Sequence, residues 1–196
     1  MKSEVYKLGR LNVDHRIIPE AAEIIAETDG LGKKETLRLR LLAEEMICML
    51  PQLLEYGEGE FWIETKDKDY YLHLAVKAED AAEIDREKII DVSTNKKNTI
   101  GIMGKIVNAA SIFLSGMYSA AGEMPYDYFA MGTLDGTYGL SWSLMQYRES
   151  LENETAKTEK SEEWDELEKS VIANMADDVT VSVTGRKVDI IVKKGF

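Results

Sequence analysis

Residues 179–194 read VTVSVTGRKVDIIVKK, and the fold class turns on them. Val179, Val181 and Val183 alternate with Thr180, Ser182 and Thr184, and Val188, Ile190 and Val192 repeat the pattern after Gly185-Arg186. A period of two with apolar side chains on one parity predicts a hairpin of two half-buried strands. Such strands need cover on one side only. The rest of the chain has to supply that cover.

Upstream, SEEWDELEKSVIANMADD reads as a helix with Trp164, Leu167, Val171 and Met175 on one face, and LSWSLMQYRESLENE as another. Glycines at 116, 122, 132, 136 and 139 predict a loop-rich stretch over 116–139. Residues 81–99 are charged and without pattern, a short helix plus a loop. In EFWIETKDKDYYLHLAVKAED, two aromatic and β-branched runs flank Lys66-Asp67-Lys68-Asp69, a second hairpin signal. Its second run puts Tyr70, Leu72, Leu74 and Val76 on one face.

At the front, KLGRLNVDHRIIP suits an edge strand ending near His15. Pro19 fits the first turn of a helix, PEAAEIIAETDG, that stops at Asp29-Gly30. Next comes LRLRLLAEEMICML, residues 37–50. On a helical wheel Leu39, Leu42, Met46, Met49, Leu50 and Leu53 form one broad apolar face. Leu37, Leu41 and Cys48 form a second, almost opposite, with Glu44 among them. Pro51 removes a backbone donor and predicts a kink or break, with QLLEYG as a last turn or two. Helices on one face of an antiparallel or mixed sheet give an α+β fold, a two-layer α/β sandwich.

The chain has 196 residues, 44% hydrophobic and 31% charged, ordinary for a single globular domain. A net charge of −12 argues against nucleic acid or an anionic membrane surface as partner. Residues 149–169 carry much of the acid and read as a solvated helix pair or linker. One cysteine and two histidines support no disulfide and no metal site. The N-terminus lacks an apolar leader run, so cytoplasm is the expected compartment. The apolar run IGIMGKIVNAASIFLSGMYSAA, residues 100–121, is interrupted by Lys105, Asn108 and three serines. It predicts a buried helix rather than a membrane span, with Ser111, Ser115 and Ser119 on a close-packing face.

The run from LNVDHRIIPEAAEIIAETDGLGKKETLRLRLLAEEMICML through LHLAVKAED resembles the N-terminal half of the GHKL ATPase domain, in its bacterial branch of anti-sigma-factor serine kinases and histidine-kinase-like ATPases. MADDVTVSVTGRKVDIIVKK resembles its closing hairpin. The resemblance implies one Bergerat-like domain over residues 1–196 with a helical insertion at about 81–160. It places Glu44 on the catalytic Glu of the N-box, the general base or water-positioning residue. It places Cys48 where the family has a magnesium-binding Asn. In VKAEDAAEID no glycine follows Glu79 or Asp80, where the family's adenine-binding Asp leads a glycine motif. NTIGIMGKIV matches the later glycine box, with Gly101 and Gly104 at the phosphates of ATP.

The resemblance with altered boxes implies a regulatory or protein-interaction protein with little or no ATPase activity, engaging a protein partner or itself. Its alternative is a divergent ATP-binding protein or anti-sigma-type kinase using ATP and magnesium. An unrelated α+β protein sharing the element order is a third. Read from residues alone, Glu44 is a carboxylate at a helix rim bonded to a local arginine. Glu45 pairs with Arg38 or Lys34. Cys48 is a small buried hydrophobe, and Gly101 and Gly104 are helix-start glycines. Tyr118, Tyr126, Tyr128, Phe129 and Tyr138 either cap the sheet or offer a partner surface.

Overall fold

The computed structural model describes residues 1–9, 16–53, 57–78, 104, 106, 107, 110, 130–134, 137–155, 162–184 and 187–196. In chain order these form β1 (Tyr6–Leu8), α1 (Ile17–Thr28), α2 (Lys33–Leu53), β2 (Gly57–Lys66), β3 (Asp69–Ala78), β4 (Ala130–Leu134) and β5 (Thr137–Ser143). There follow α3 (Leu144–Thr155), α4 (Glu162–Lys169), α5 (Val171–Met175), β6 (Asp178–Thr184) and β7 (Lys187–Gly195). The strands make one seven-stranded sheet in the order β1-β2-β3-β7-β6-β5-β4. Every pairing is antiparallel. The fold is α+β.

The C-terminal hairpin lies inside the sheet. Val183 pairs with Val188, Val181 with Ile190 and Val179 with Val192. Ile190 also faces Leu74 of β3, and Val192 faces Leu72. Leu74 in turn faces Phe61 of β2. This parity is buried throughout: Phe61, Ile63, Tyr70, Leu72, Val179, Val181, Ile190 and Val192 are inaccessible. Helical residues join them in one continuous core, including Ile18, Ala22, Leu42, Met46, Leu144, Tyr147 and Ile172. The opposite parity holds Glu58, Glu60, Trp62, Glu64 and Tyr71, exposed or half-buried. One-sided cover follows from the alternation.

Between β2 and β3, Lys66 pairs with Asp69, leaving a two-residue turn of Asp67 (φ 53°) and Lys68 (φ 68°). Two successive left-handed residues make the type I′ geometry whose twist matches the strands. The helix α1 ends as its sequence predicts. Gly30 (φ 75°) donates to Glu27 O at 3.1 Å, and Leu31 donates to Ala26 O at 2.9 Å. This Schellman pair satisfies carbonyls that the helix end leaves open, and glycine takes the left-handed position without a Cβ clash. The broad face of α2 is buried completely, with Leu39, Leu42, Met46, Met49, Leu50 and Leu53 each at 0 or 1% exposure.

Six expectations need correction. The edge strand β1 ends at Leu8 rather than near His15, and residues 10–15 lie outside the described part. Helix α2 runs through Pro51 to Leu53 without a break, its buried broad face holding the last turn on the core. The loop-rich reading of 116–139 fails at 130–134 and 137–139, and its other residues lie outside the described part. In those two stretches β4 and β5 pair with Gly132 opposite Gly139, so these glycines sit in strands. Strands thus belong to the span 81–160 read as a helical insertion, and they extend the sheet.

The helix read from Leu140 starts instead at Leu144. Ser143 Oγ accepts from Met145 N at 3.2 Å, and Asp178 Oδ1 accepts from Met145 N and Ser143 Oγ at 3.0 Å. A serine with a carboxylate behind it converts strand to helix at that residue. The helix read over SEEWDELEKSVIANMADD is broken at Ser170, which is extended (φ −77°, ψ 123°) and caps α5 by accepting from Ala173 N. The break rotates Val171 off the face of Leu167, leaving it 44% exposed.

Candidate functional site

Helix α2 carries the residues that the resemblance singled out first. It opens on half of a capping box, in which Gly32 N donates to Glu35 Oε2 at 2.7 Å. Two turns on, Arg40 points along the helix and across to α1. Arg40 Nε donates to Glu44 Oε1 at 3.0 Å, and Arg40 Nη1 donates to Glu23 Oε2 at 2.7 Å. All three side chains are about two-fifths exposed, at 42%, 39% and 44% for Arg40, Glu23 and Glu44. The guanidinium fork holds two carboxylates from two helices. The arginine partner of Glu44 is the outcome that its position on the helix rim predicts.

The second stripe of α2 is open rather than packed. Leu37 is 55% exposed and Cys48 is exposed. Cys48 is therefore not the buried hydrophobe that its apolar neighbours suggest. Glu45, which follows Glu44 in sequence, is half-buried, and among the described residues no cation pairs with it. Burial first, and the charge of Glu44 second, push its carboxyl above the ordinary value. The expected partners Arg38 and Lys34 do not reach it. Glu45 is the carboxylate of α2 with the perturbed chemistry, and the sequence reading passed over it.

Gly104 is helical and half-buried, and the helical Ile106, Val107 and Ala110 near it are core residues. Asp80 and Gly101 lie outside the described residues, as do Ser111, Ser115, Ser119, Tyr118, Tyr126, Tyr128 and Phe129. Among the described residues no three His, Cys, Asp or Glu side chains converge as metal ligands, and no helix is long and apolar enough to cross a membrane. The donor set on α2 does not fit magnesium: a hard cation needs oxygen ligands, Cys48 offers sulfur, and one oxygen of Glu44 is held by a guanidinium.

No known family model and no curated protein matches this chain. The chemistry of its own residues has to speak for it.

A second constellation lies on the sheet face opposite the core. Trp62 of β2 and His73 of β3 are cross-strand partners and stack with ring centroids 4.6 Å apart and planes 6° from parallel. Lys2 Nζ sits 4.7 Å and Lys187 Nζ 5.8 Å from the Trp62 ring centroid. Glu64 Oε1 accepts from Trp62 Nε1 at 2.9 Å and from Lys2 Nζ at 3.1 Å. These bonds, the lysine first, hold the Glu64 carboxyl below its ordinary value. His73 Nε2 is buried without a hydrogen-bond partner among the described residues, and burial lowers its basicity. Parity was the available signal, since Trp62 and His73 fall on the opposite strand face from Phe61 and Leu74.

Proposed function

We propose that the protein is a regulatory, protein-interaction member of a Bergerat-like α+β architecture that carries out little or no ATP turnover in the cytoplasm. The observation that carries this reading is the Glu23–Arg40–Glu44 bridge one turn before Cys48. A general base needs a lone pair free to take a proton from water, and the neighbouring ligand has to offer oxygen to magnesium. Arg40 engages Oε1 of Glu44, and Cys48 offers sulfur rather than oxygen. The open stripe of α2 and Ile24 of α1, 63% exposed, supply apolar surface of the kind that partners or second copies cover. A fold likeness alone carries no activity.

The competing reading, a divergent ATP-binding protein or anti-sigma-type kinase, draws support from Glu45. Its half-buried carboxyl is raised toward the range of a base. A thermal melt with ATP and magnesium separates the two. A ligand at a hundred times its dissociation constant stabilises by about 2.7 kcal/mol, and the interaction reading expects no shift. Hydrolysis that disappears in Glu45→Gln while the shift remains would establish the kinase reading instead. Native mass measurement and pull-downs test the interaction itself, which requires a partner or a second copy.

A further inference from the structure

The stacked pair on the sheet face opposite the core does more than fill surface. Residues 1–3 extend the β1 edge along β2. Ser3 N donates to Ile63 O at 2.8 Å, Thr65 N donates to Met1 O at 2.7 Å, and Ile63 N donates to Ser3 Oγ at 2.9 Å. Besides Ser3 Oγ, the segment is held by a charged side chain, Lys2, which grips Glu64 Oε1. The other oxygen, Glu64 Oε2, stands 4.0 Å from His73 Nε2, just beyond hydrogen-bond reach. Lys2 and the imidazole therefore address opposite ends of one carboxylate.

We propose that His73 is the proton sensor of a latch: a proton taken up at Nε2 draws Glu64 toward the ring, away from Lys2, and frees residues 1–3 from the β2 edge. An imidazolium gains a donor aimed at Oε2 and repels the Lys2 ammonium at the same time. The charged groups around His73 come from three elements: Glu64 on β2, Asp189 and Lys187 on β7, and Lys2 on the N-terminal segment. Glu64 and Asp189 favour the proton, while Lys2, Lys187 and burial oppose it. Opposition wins in the latched state. The group with a lowered folded value stabilises the latch fully above about pH 6.5, the free imidazole value, and that contribution falls as pH drops toward the folded value.

The test is a pH titration of the His73 ring by NMR beside hydrogen-exchange protection of the Ile63 and Thr65 amides. The ring titrates below about 6.5. Protection at both amides falls roughly two- to fivefold through the same midpoint, the worth of one exposed ion pair. His73→Phe keeps an aromatic ring on Trp62 and removes the pH dependence. Lys2→Met raises the His73 midpoint and leaves the two amides weakly protected at either pH. Unchanged protection across the His73 titration overturns the latch, as does the same loss in His73→Phe or an unmoved midpoint in Lys2→Met.

Discussion

At the scale of single residues, Tyr70 shows how a side chain joins the two layers. It is fully buried on β3, and its hydroxyl donates to Asp29 Oδ2 at 3.0 Å, at the cap of α1. Burial first, then the bond and the charge of Asp29, push its phenol up to about 12. A raised value means that stability is fully present below about pH 10, the ordinary phenol value, and is lost as pH rises toward 12. Denaturant midpoints therefore owe no fall to this group between pH 8 and about 10, and fall above that in the native protein. Tyr70→Phe flattens that fall and lowers the neutral-pH stability by about 1 kcal/mol. The arginine partner of Glu44 was legible at this scale, because an arginine four residues before it is a sequence fact. Cys48 was not, since apolar neighbours on a wheel do not say whether another element covers their stripe.

At the scale of elements, the β2–β3 turn tolerates an unusual pair. Asp67 accepts a left-handed conformation more readily than most residues, but Lys68 (φ 68°) bears a Cβ clash there. Lys68→Gly relieves it, and chemical denaturation should show a gain of about 1 kcal/mol with an unchanged slope. Helix α2 is anchored by its broad face, so Leu42→Ala, at 0% exposure, should cost about 2–5 kcal/mol by the same measurement. Alternation made the two hairpins β2–β3 and β6–β7 readable, because each buries one parity of long strands. The hairpin β4–β5 was hidden by Gly132 and Gly139, which carry no side chain to show a parity. Its signal was the Asp135-Gly136 dipeptide between the paired Leu134 and Thr137, a two-residue turn sequence. The break at Ser170 was hidden too, since a serine inside a periodic run gains its meaning from the side-chain cap it makes.

At the scale of the whole molecule, one sheet and one core follow from strands that alternate and helices with a single broad apolar face. What the patterning could not reach is the chemistry of the surfaces away from the core. Trp62, His73, Lys2 and Glu64 meet there only because the register of β2 on β3 and the path of residues 1–3 bring them together. Likewise Arg40 reaches Glu23 only because α1 and α2 lie side by side. The proposal that the α2 site turns over little or no ATP has its most direct test in the melting temperature of the protein titrated with ATP and magnesium. It predicts a midpoint that stays where it was. A saturable rise equivalent to about 2.7 kcal/mol at a hundredfold excess over the dissociation constant, with phosphate released from ATP, would contradict it.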